Sequence, residues 1–254
     1  MNLTGKTSII TGGSDGIGRA IAAKLASEGA HVVICARNAD KLDAVAEDIR
    51  AAGGSVETRV QDVADTESFT AMIADVASSS GLDILVNNAA HVGFGSVADA
   101  SLEDFRENFR VNVDATYAGM QAAIKAMSNN GGSIVNISSI NGDRAMPGMA
   151  GYSSSKAALL HLTRLASMET AGLNIRVNAV TPGPIMTPGT EAFIQSDPKA
   201  GEAIAAGNPM QRMGMPEEVA NVVLFLASDM SSYVTGANIP VDGGKANELA
   251  VNQG

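Results

Sequence analysis

The sequence lacks tryptophan entirely, and its 254 residues include only one cysteine and three histidines. The cysteine, Cys35, lies within the apolar run HVVICA, which is typical of a buried structural thiol and of a reducing, cytoplasmic setting. His31, His91 and His161 are far apart, and each lacks a second His or Cys at ligand spacing. The sequence therefore predicts that the protein holds no metal ion.

Long apolar runs and an excess of basic residues are also missing. No run approaches the roughly 18 apolar residues of a membrane span, and the start MNLTGKTSII lacks the basic and apolar parts of a secretory signal. The 17 Lys and Arg residues against 27 Asp and Glu residues give a net charge of −10. This charge argues against nucleic acids and anionic membrane surfaces as partners.

What the chain does contain is an alternation of two patterns. Short runs rich in β-branched residues predict strands, and segments with a period of ~3.6 residues between them predict helices. The predicted strands are Thr7–Thr11, His31–Cys35, Ser55–Val60, Ile84–Asn87, Ser133–Ser138, Ile175–Val180 and Ala237–Val241. The clearest predicted helices are Ile17–Glu28, Ala39–Ala51, one that Ser101 caps and that continues beyond Asn112, and one that begins at Pro216.

This alternation predicts the fold class. Strands that alternate with helices form a mostly parallel sheet covered by helices on both faces. No composition break or linker divides residues 1–254, so we expect a single α/β domain of the doubly wound, Rossmann type. Ligands on such sheets bind at the carboxyl ends of the strands, which is where the motifs of this chain fall.

The first motif is TGGSDGIG, residues 11–18, between the first predicted strand and the first predicted helix. Unpaired N–H groups at a helix N-terminus attract anions, and glycines let a pyrophosphate approach the backbone closely. Gly12, Gly16 and Gly18 thus predict a phosphate cradle, although a glycine-rich turn also serves as a plain tight connection. The position after the first strand favours dinucleotide binding.

The end of the second strand bears on which dinucleotide binds. An acidic residue there accepts hydrogen bonds from the ribose hydroxyls, whereas a basic residue accommodates a 2′-phosphate. The chain has Arg37 and Asn38 at this place, which favours NADP(H) over NAD(H) unless Arg37 is only a solvated surface residue. Asp15 argues the other way, because a carboxylate pointing inward from the glycine turn would repel a 2′-phosphate.

Another motif combines serine, tyrosine and lysine. Tyr152 and Lys156 are four residues apart and share one face of a helix that begins near Tyr152. A neighbouring ammonium favours the phenolate, so we expect Lys156 to lower the pKa of Tyr152 from ~10 by ~1–3 units. Ser139 would hydrogen-bond the substrate oxygen while Tyr152 transfers a proton. Neighbouring side chains on a strand point to opposite faces, so only one of Ser138 and Ser139 can do this.

Together these motifs resemble the short-chain dehydrogenase/reductase family in its single-domain form of about 250 residues, and in particular its members similar to 3-oxoacyl-acyl-carrier-protein reductase. The resemblance extends from Gly5 to Gly244. The motifs that carry it are Thr11–Gly18, Asp62-Val63, Asn87-Asn88-Ala89, Asn112-Val113, Ser139, Tyr152, Lys156, Asn178, Pro182-Gly183 and Val241–Gly244. One departure is Ala90, which stands where the family commonly has glycine.

The resemblance implies a role for each matching residue. The catalytic set would be Asn112, Ser139, Tyr152 and Lys156, with Asn112 holding a water through which the proton reaches solvent. The cofactor-binding set would be Gly12, Ser14, Asp15, Gly16, Ile17, Gly18, Arg37, Asn38, Asp62, Val63, Asn88, Ala89, Ala90, Tyr152, Lys156, Pro182, Gly183, Ile185 and Thr187. The family's fold is a seven-stranded parallel sheet, usually in a homodimer or homotetramer built on the helices containing Asn112 and Tyr152, or on the last helix and strand.

The substrate would lie beside the catalytic set. We expect it to contact His91, Phe94, Ser139, Asn141, Met149 and Tyr152. The segment 188–210 is rich in small residues and polar at its centre, which is typical of a mobile lid over a substrate, although an ordered surface excursion would have the same composition.

The predicted function is NADP(H)-dependent hydride transfer between nicotinamide and a small-molecule ketone or secondary alcohol. A second possible function is reduction of 3-oxoacyl groups on acyl carrier protein, an acidic partner that docks on bases near the active-site mouth. Residues 127–132 and 169–174, where that enzyme carries those bases, contain no Lys or Arg here, and the charge of −10 also opposes the complex. An NAD-dependent secondary alcohol dehydrogenase or a non-catalytic cofactor-binding protein would carry similar cofactor motifs, and the complete catalytic set disfavours the second of these.

Overall fold

A sheet of seven strands forms the centre of the computed structural model, which describes residues 1–247. The strands are β1 (Thr7–Thr11), β2 (His31–Ala36), β3 (Ser55–Val60), β4 (Ile84–Asn87), β5 (Gly132–Ile137), β6 (Ile175–Pro182) and β7 (Asn238–Val241). Their order is β3-β2-β1-β4-β5-β6-β7, and every neighbouring pair is parallel. The predicted doubly wound, Rossmann-type α/β class is thus confirmed, while residues 248–254 of the predicted domain lie outside the described residues.

Helices connect the strands. They are α1 (Gly16–Ser27), α2 (Ala39–Ala51), α3 (Thr66–Ser80), α4 (Leu102–Phe109), α5 (Ala115–Met127), α6 (Ala150–Thr170), α7 (Pro188–Ser196), α8 (Pro198–Ala206) and α9 (Pro216–Ala227). A π-helical turn, Arg110–Asp114, joins α4 to α5, so this region continues beyond Asn112 as predicted. Within residues 1–247, no helix combines the length and apolar character that a membrane crossing needs.

The predicted bounds of β1, β3, β4 and α2 match the observed ones, and those of the other strands and of α1 differ by at most two residues. The largest difference is in β6, which extends to Pro182 because Thr181 and Pro182 still pair with Pro240 and Val241 of β7. Helix α1 begins one residue earlier than predicted because Asp15 caps it, with its Oδ1 accepting from the Gly16 N–H at 2.8 Å.

The two faces of the sheet support separate cores. Successive strand residues alternate between them: Ile10 packs with α1, α2 and α9, whereas Ile9 packs with α3, α5 and α6. Cys35 lies in the second core and is fully buried, as predicted, and burial raises the pKa of its thiol to about 12. This thiol is therefore protonated at neutral pH and belongs to the packing.

The strand order also places the functional loops. The chain builds the sheet outward from β1 to β3 in one direction and then returns to add β4 on the other side of β1. Connections after β1 and β4 thus leave toward opposite faces, and a crevice opens between them at the carboxyl ends of the strands. The glycine turn, Arg37, Asn88, Ser139 and the segment after β6 follow these strand ends.

Candidate active site

The glycine turn connects β1 to α1 with very little free space. Gly12 has a φ of +65°, and a Cβ placed on it would lie 2.8 Å from Nδ2 of Asn88. A Cβ on Gly18 would lie 2.2 Å from the carbonyl oxygen of Gly12. Both glycines are needed because the first turn of α1 packs directly on the preceding backbone, which leaves the N-terminus of α1 open to a phosphate.

We expect Gly18→Ala to destabilise the protein by about 2–3 kcal/mol, because the added methyl meets backbone that cannot rotate away. Gly172→Ala is the matched control, since a Cβ at that position meets no atom within 4 Å. Urea denaturation of both variants measures the effect. Equal midpoints for the two alanine variants would contradict this packing argument.

The loop after β4 is bonded to the glycine turn. The Asn88 side chain donates from Nδ2 to the carbonyl oxygens of Thr11 and Gly12, at 2.9 and 3.2 Å. Oγ1 of Thr11 accepts in return from the N–H groups of Asn88 and Ala89, at 2.9 and 3.0 Å. These bonds fix the two loops relative to each other across the crevice.

Two adjoining cavities occupy this crevice. The first, of about 630 Å³, is lined by nine of the predicted cofactor residues: Gly12, Ser14, Asp15, Arg37, Asn38, Asp62, Val63, Ala89 and Ala90. The second, of about 310 Å³, is lined by Ile17, Asn88, Ala90, Tyr152, Lys156, Pro182, Gly183, Ile185 and Thr187 of the same set. Gly16 and Gly18 belong to neither lining and lie in the turn itself. Ala90 lines both cavities, so the predicted cofactor residues follow one continuous channel.

The sequence interpretation missed several residues of the first cavity. Lys41, Gln61, Glu107, Arg110 and Val111 also line it. Lys41 lies on α2, Gln61 follows β3, Glu107 is on α4, and Arg110 and Val111 lie in the π-helical turn. No local motif marks them.

The second cavity contains the predicted serine, tyrosine and lysine. Helix α6 begins at Ala150, and Nζ of Lys156 lies 5.7 Å from the ring centroid of Tyr152, so the two share a face as predicted. Lys156 is 2% exposed, and its Nζ donates to the Ile137 carbonyl oxygen at 2.8 Å. Burial lowers the pKa of this ammonium from 10.5 to about 8.

The structure distinguishes the two neighbouring serines. Oγ of Ser138 is buried and donates to the Lys156 carbonyl oxygen at 3.2 Å, within the packing of α6 on β5. Ser139 hydrogen-bonds Tyr152, and its Oγ also accepts from the Asn141 N–H at 3.2 Å. The hydroxyl placed beside the tyrosine is therefore that of Ser139.

The expected lowering of the Tyr152 pKa is wrong for this geometry. Burial raises the pKa of the phenol, and the hydrogen bond from Ser139 only partly opposes that effect. The ammonium of Lys156 does not reverse it, because Lys156 faces the tyrosine ring and is itself held by Ile137. Tyr152 is thus held in its protonated form at neutral pH, as a proton donor must be.

Asn112 lies in the π-helical turn and is 1% exposed. Its Oδ1 accepts from the His91 N–H at 2.8 Å, and its Nδ2 donates to the His91 carbonyl and to Oγ of Ser155, both at 2.9 Å. Ser155 in turn donates to the Tyr152 carbonyl at 2.7 Å. The Asn112 side chain therefore connects the loop after β4 with the first turn of α6, and water binding by it stays a prediction.

The predicted substrate residues are brought together only in part. Ser139 and Tyr152 line the second cavity, together with Val92, Pro184 and Thr190. The other four predicted residues are not in this lining: His91 lines the first cavity, Phe94 is 76% exposed, and Asn141 donates to the Sδ of the buried Met149 at 3.3 Å, so their contact with a substrate stays a prediction. The Gly95 N–H donates to the Gly148 carbonyl at 2.7 Å, and the Ala150 N–H donates to the Gly95 carbonyl at 3.1 Å, so the loop after β4 is tied to the start of α6.

The segment expected to form a lid, 188–210, consists mainly of α7 and α8 and the turn that follows them. Thr187 caps α7 by accepting from the Thr190 N–H at 3.3 Å, and both residues line the second cavity. The start of this segment therefore borders the site directly.

Known proteins resemble this chain over almost its full length. The family described as enoyl-(acyl carrier protein) reductase matches residues 12–246. The 3-oxoacyl-[acyl-carrier-protein] reductase of Thermotoga maritima is 39% identical over 246 residues, covering 96% of this chain and 99% of that protein.

Solved structures show the same relationship. A proposed 2-deoxy-D-gluconate 3-dehydrogenase of Agrobacterium tumefaciens, solved with bound NADP, is 34% identical with a TM-score of 0.90, covering 97% of this chain and 98% of that one. A short-chain type dehydrogenase/reductase of Mycobacterium marinum is 36% identical with a TM-score of 0.89 and covers 96% of each chain. With this sequence identity and the shared fold, the chain belongs to the short-chain dehydrogenase/reductase family of oxidoreductases.

Proposed function

We propose that the protein transfers hydride between NADP(H) and a small-molecule ketone or secondary alcohol, as a carbonyl reductase or alcohol dehydrogenase. One observation carries this proposal: Ser139, Tyr152 and Lys156 line a cavity that is continuous with the glycine turn. Proton-transfer groups and a phosphate cradle lie along one channel, as hydride transfer from a dinucleotide requires.

The residues of the channel fit a nicotinamide dinucleotide. The N-terminus of α1 suits a pyrophosphate, and Gly12 and Gly18 permit the tight turn before it, since a Cβ at either position would collide with Asn88 or with the Gly12 carbonyl. Pro182, Gly183, Ile185 and Thr187 would support the nicotinamide end. The bound cofactor supplies or accepts the hydride, and a similar protein was solved with NADP bound.

The protein's own residues handle the proton. In the reductive direction the Tyr152 hydroxyl gives its proton to the substrate oxygen, and Ser139 holds that oxygen with a second hydrogen bond. Lys156 carries a buried positive charge next to the tyrosine, which favours the phenolate that forms when the proton leaves. In the oxidative direction these steps run in reverse, and Tyr152 takes the proton from an alcohol.

Arg37 supports the choice of NADP(H). It follows β2 directly and lines the first cavity beside Asn38, where a 2′-phosphate would lie. We expect NADPH to bind more tightly than NADH, and Arg37→Ala to weaken NADPH binding by about tenfold with little change for NADH. Titration that follows the fluorescence of the reduced nicotinamide measures both.

Arg50→Ala is the matched control, because Arg50 lies in the last turn of α2 and outside the cavity lining. Equal binding of NADPH and NADH by the unaltered protein would overturn the proposed NADP(H) preference. A panel of ketones is then tested with NADPH to find those that the protein reduces.

Reduction of 3-oxoacyl groups on acyl carrier protein is a second candidate, favoured by the relative from Thermotoga maritima. The expectation that residues 127–132 and 169–174 flank the active-site mouth is wrong within this chain. They precede β5 and β6, at the edge of the sheet opposite the cavities. The charge of −10 remains the argument against an acidic carrier. Comparing the rates at which the protein reduces an acetoacetyl group on acyl carrier protein and on a small thioester distinguishes the two candidates.

We also propose that the protein forms a homodimer or homotetramer through the helices that contain or adjoin the catalytic residues. Tyr117 on α5 and Leu165 and Met168 on α6 are 48%, 47% and 82% exposed, so these two helices have large apolar side chains available for an interface. Light scattering of the purified protein measures the assembly, and a monomeric mass at micromolar concentration would contradict it.

A further inference from the structure

We infer that Lys41 is a second cation for the 2′-phosphate and that Asp15 holds it at the cavity in the cofactor-free protein. Nζ of Lys41 lies 2.6 Å from Oδ2 of Asp15, and both side chains line the first cavity together with Arg37. This inference rests on the proposed use of NADP(H) and assigns a specificity-determining residue to it.

The position of Lys41 follows from the start of α2. Oδ1 of Asn38 accepts from the Lys41 N–H at 2.9 Å, so Asn38 caps α2 and fixes Lys41 in its first turn. Arg37 lies immediately before this cap. The N-terminus of α2 therefore adds its partial positive charge to those of Arg37 and Lys41 at the same cavity wall.

Asp15 is committed to two different partners. Its Oδ1 accepts from the Gly16 N–H at 2.8 Å and caps α1, which directs Oδ2 toward Lys41. From the sequence, the Asp15 carboxylate is expected to repel a 2′-phosphate. It does point into the cavity, and Lys41 neutralises its charge there. Without Lys41, the negative charge of Asp15 would cancel the positive charge of Arg37. With Lys41, these three side chains together carry one net positive charge, which is available to the phosphate.

The ion pair is weak enough to exchange partners. The side chains of Lys41 and Asp15 are 56% and 39% exposed, and water screens such pairs strongly. A phosphate dianion attracts an ammonium more than a single carboxylate does, so Lys41 can turn to the ligand without loss of a strong contact. The other ionisable residues that line this cavity are Glu107 and Arg110, which pair with each other at 2.7 Å, and Asp62 and His91.

A purely mechanical role for the pair predicts a different behaviour. If Lys41 only ties α2 to the glycine turn, its removal changes the stability of the protein and affects both cofactors alike. If Lys41 only masks Asp15, its effect disappears once Asp15 is neutral. A double-mutant cycle of Lys41 and Asp15 therefore distinguishes direct binding of the phosphate, mechanical support of the turn and masking of the Asp15 charge.

The experiment compares four proteins: the unaltered chain, Lys41→Met, Asp15→Asn and the double variant. Dissociation constants for NADPH and NADH are measured by fluorescence, and the thermal shift with 2′,5′-ADP is compared with that for 5′-AMP. These two adenosine fragments test the subsite without any catalytic turnover. Lys24→Met is the matched control, since it removes an ion-paired lysine from the far end of α1.

We expect Lys41→Met to weaken NADPH binding by about tenfold and NADH binding by less than about twofold. Asp15→Asn should tighten NADPH binding by about threefold. The double variant has the same formal charge here as the unaltered protein, yet it should bind NADPH and 2′,5′-ADP more weakly because the direct contact is lost.

Equal NADPH binding by the double variant and the unaltered protein would overturn the direct contact. If Lys41→Met weakened the binding of NADPH and of NADH equally, that result would also overturn the direct contact. In both cases the unaltered protein still prefers NADPH, so the proposed function survives. A lack of NADPH preference in the unaltered protein would instead overturn the proposed cofactor and this inference together.

Discussion

Tyr152→Phe is expected to lower kcat by about a thousandfold while NADPH still binds with nearly unchanged affinity. The phenylalanine keeps the ring that fills the cavity wall beside Lys156 and removes only the hydroxyl that we propose exchanges the proton with the substrate oxygen. Burial of this hydroxyl raises its pKa, so it carries its proton at neutral pH and is ready to donate it. Steady-state kinetics with the best ketone substrate, together with the NADPH titration, measure both effects.

Tyr233→Phe is the matched control, because the Tyr233 side chain is fully exposed and outside both cavity linings. Retention of more than a tenth of kcat in Tyr152→Phe would show that another group transfers the proton. A loss of NADPH binding equal to the loss of kcat would show that Tyr152 mainly shapes the cofactor channel.

The sequence predicted the fold well because the signals for it are local. Hydrophobic period, the glycine turn after β1 and the cap at Ser101 each depend on neighbouring residues, and Oγ of Ser101 does accept from the Asp104 N–H at 3.0 Å. The end of β6 was not predictable in this way. Its last two residues are strand only because β7, which follows more than fifty residues later, supplies their pairing partners.

The residues of the candidate site show the same difference between local signals and contacts between distant parts of the chain. Tyr152 and Lys156 were predicted together because one turn of a helix separates them. The choice between Ser138 and Ser139 required the packing of α6 on β5, which places the Ser138 hydroxyl against the Lys156 carbonyl. No spacing rule reports such a contact between separate elements.

Loop residues show what local sequence signals leave out. Phe94 was predicted to contact the substrate, and its side chain is 76% exposed in a loop whose Gly95 pairs with Gly148, a contact that no sequence spacing reports. The Asn112 amide was predicted to hold a water, which stays a prediction, and its bonds to the His91 backbone and to Ser155 are contacts that the motif did not indicate. Loop direction and the partners of a buried amide depend on residues far away in the chain.

Lys156→Met is expected to abolish most activity and yet to stabilise the protein at pH 7. Burial lowers the pKa of Lys156 from 10.5 to about 8, so the folded protein bears the cost of a charged, desolvated ammonium at every pH below about 8. At about 1.4 kcal/mol per pKa unit, this cost is at most about 3.5 kcal/mol. Methionine removes the charge, loses the hydrogen bond to Ile137, worth about 1 kcal/mol, and keeps the apolar stem.

The sign of the pH dependence follows from proton linkage. Between pH 8 and 10.5, the unfolded chain binds a proton on Lys156 that the folded protein has released, so the stability of the unaltered protein rises with pH in that range. The advantage of Lys156→Met should therefore be about 1–2 kcal/mol below pH 8 and should fade as the pH approaches 10.5. Urea denaturation at several pH values measures this difference.

Lys24→Met again serves as the control, because Lys24 pairs with Glu28 on the surface and its removal should give no such pH-dependent gain. A Lys156→Met protein that is less stable than the unaltered one by the same amount at pH 7 and pH 10 would show that the ammonium is not held at a cost. The expected result, a gain in stability with a loss of turnover, would mean that this family member keeps a destabilising charge in its core because the neighbouring tyrosine needs it.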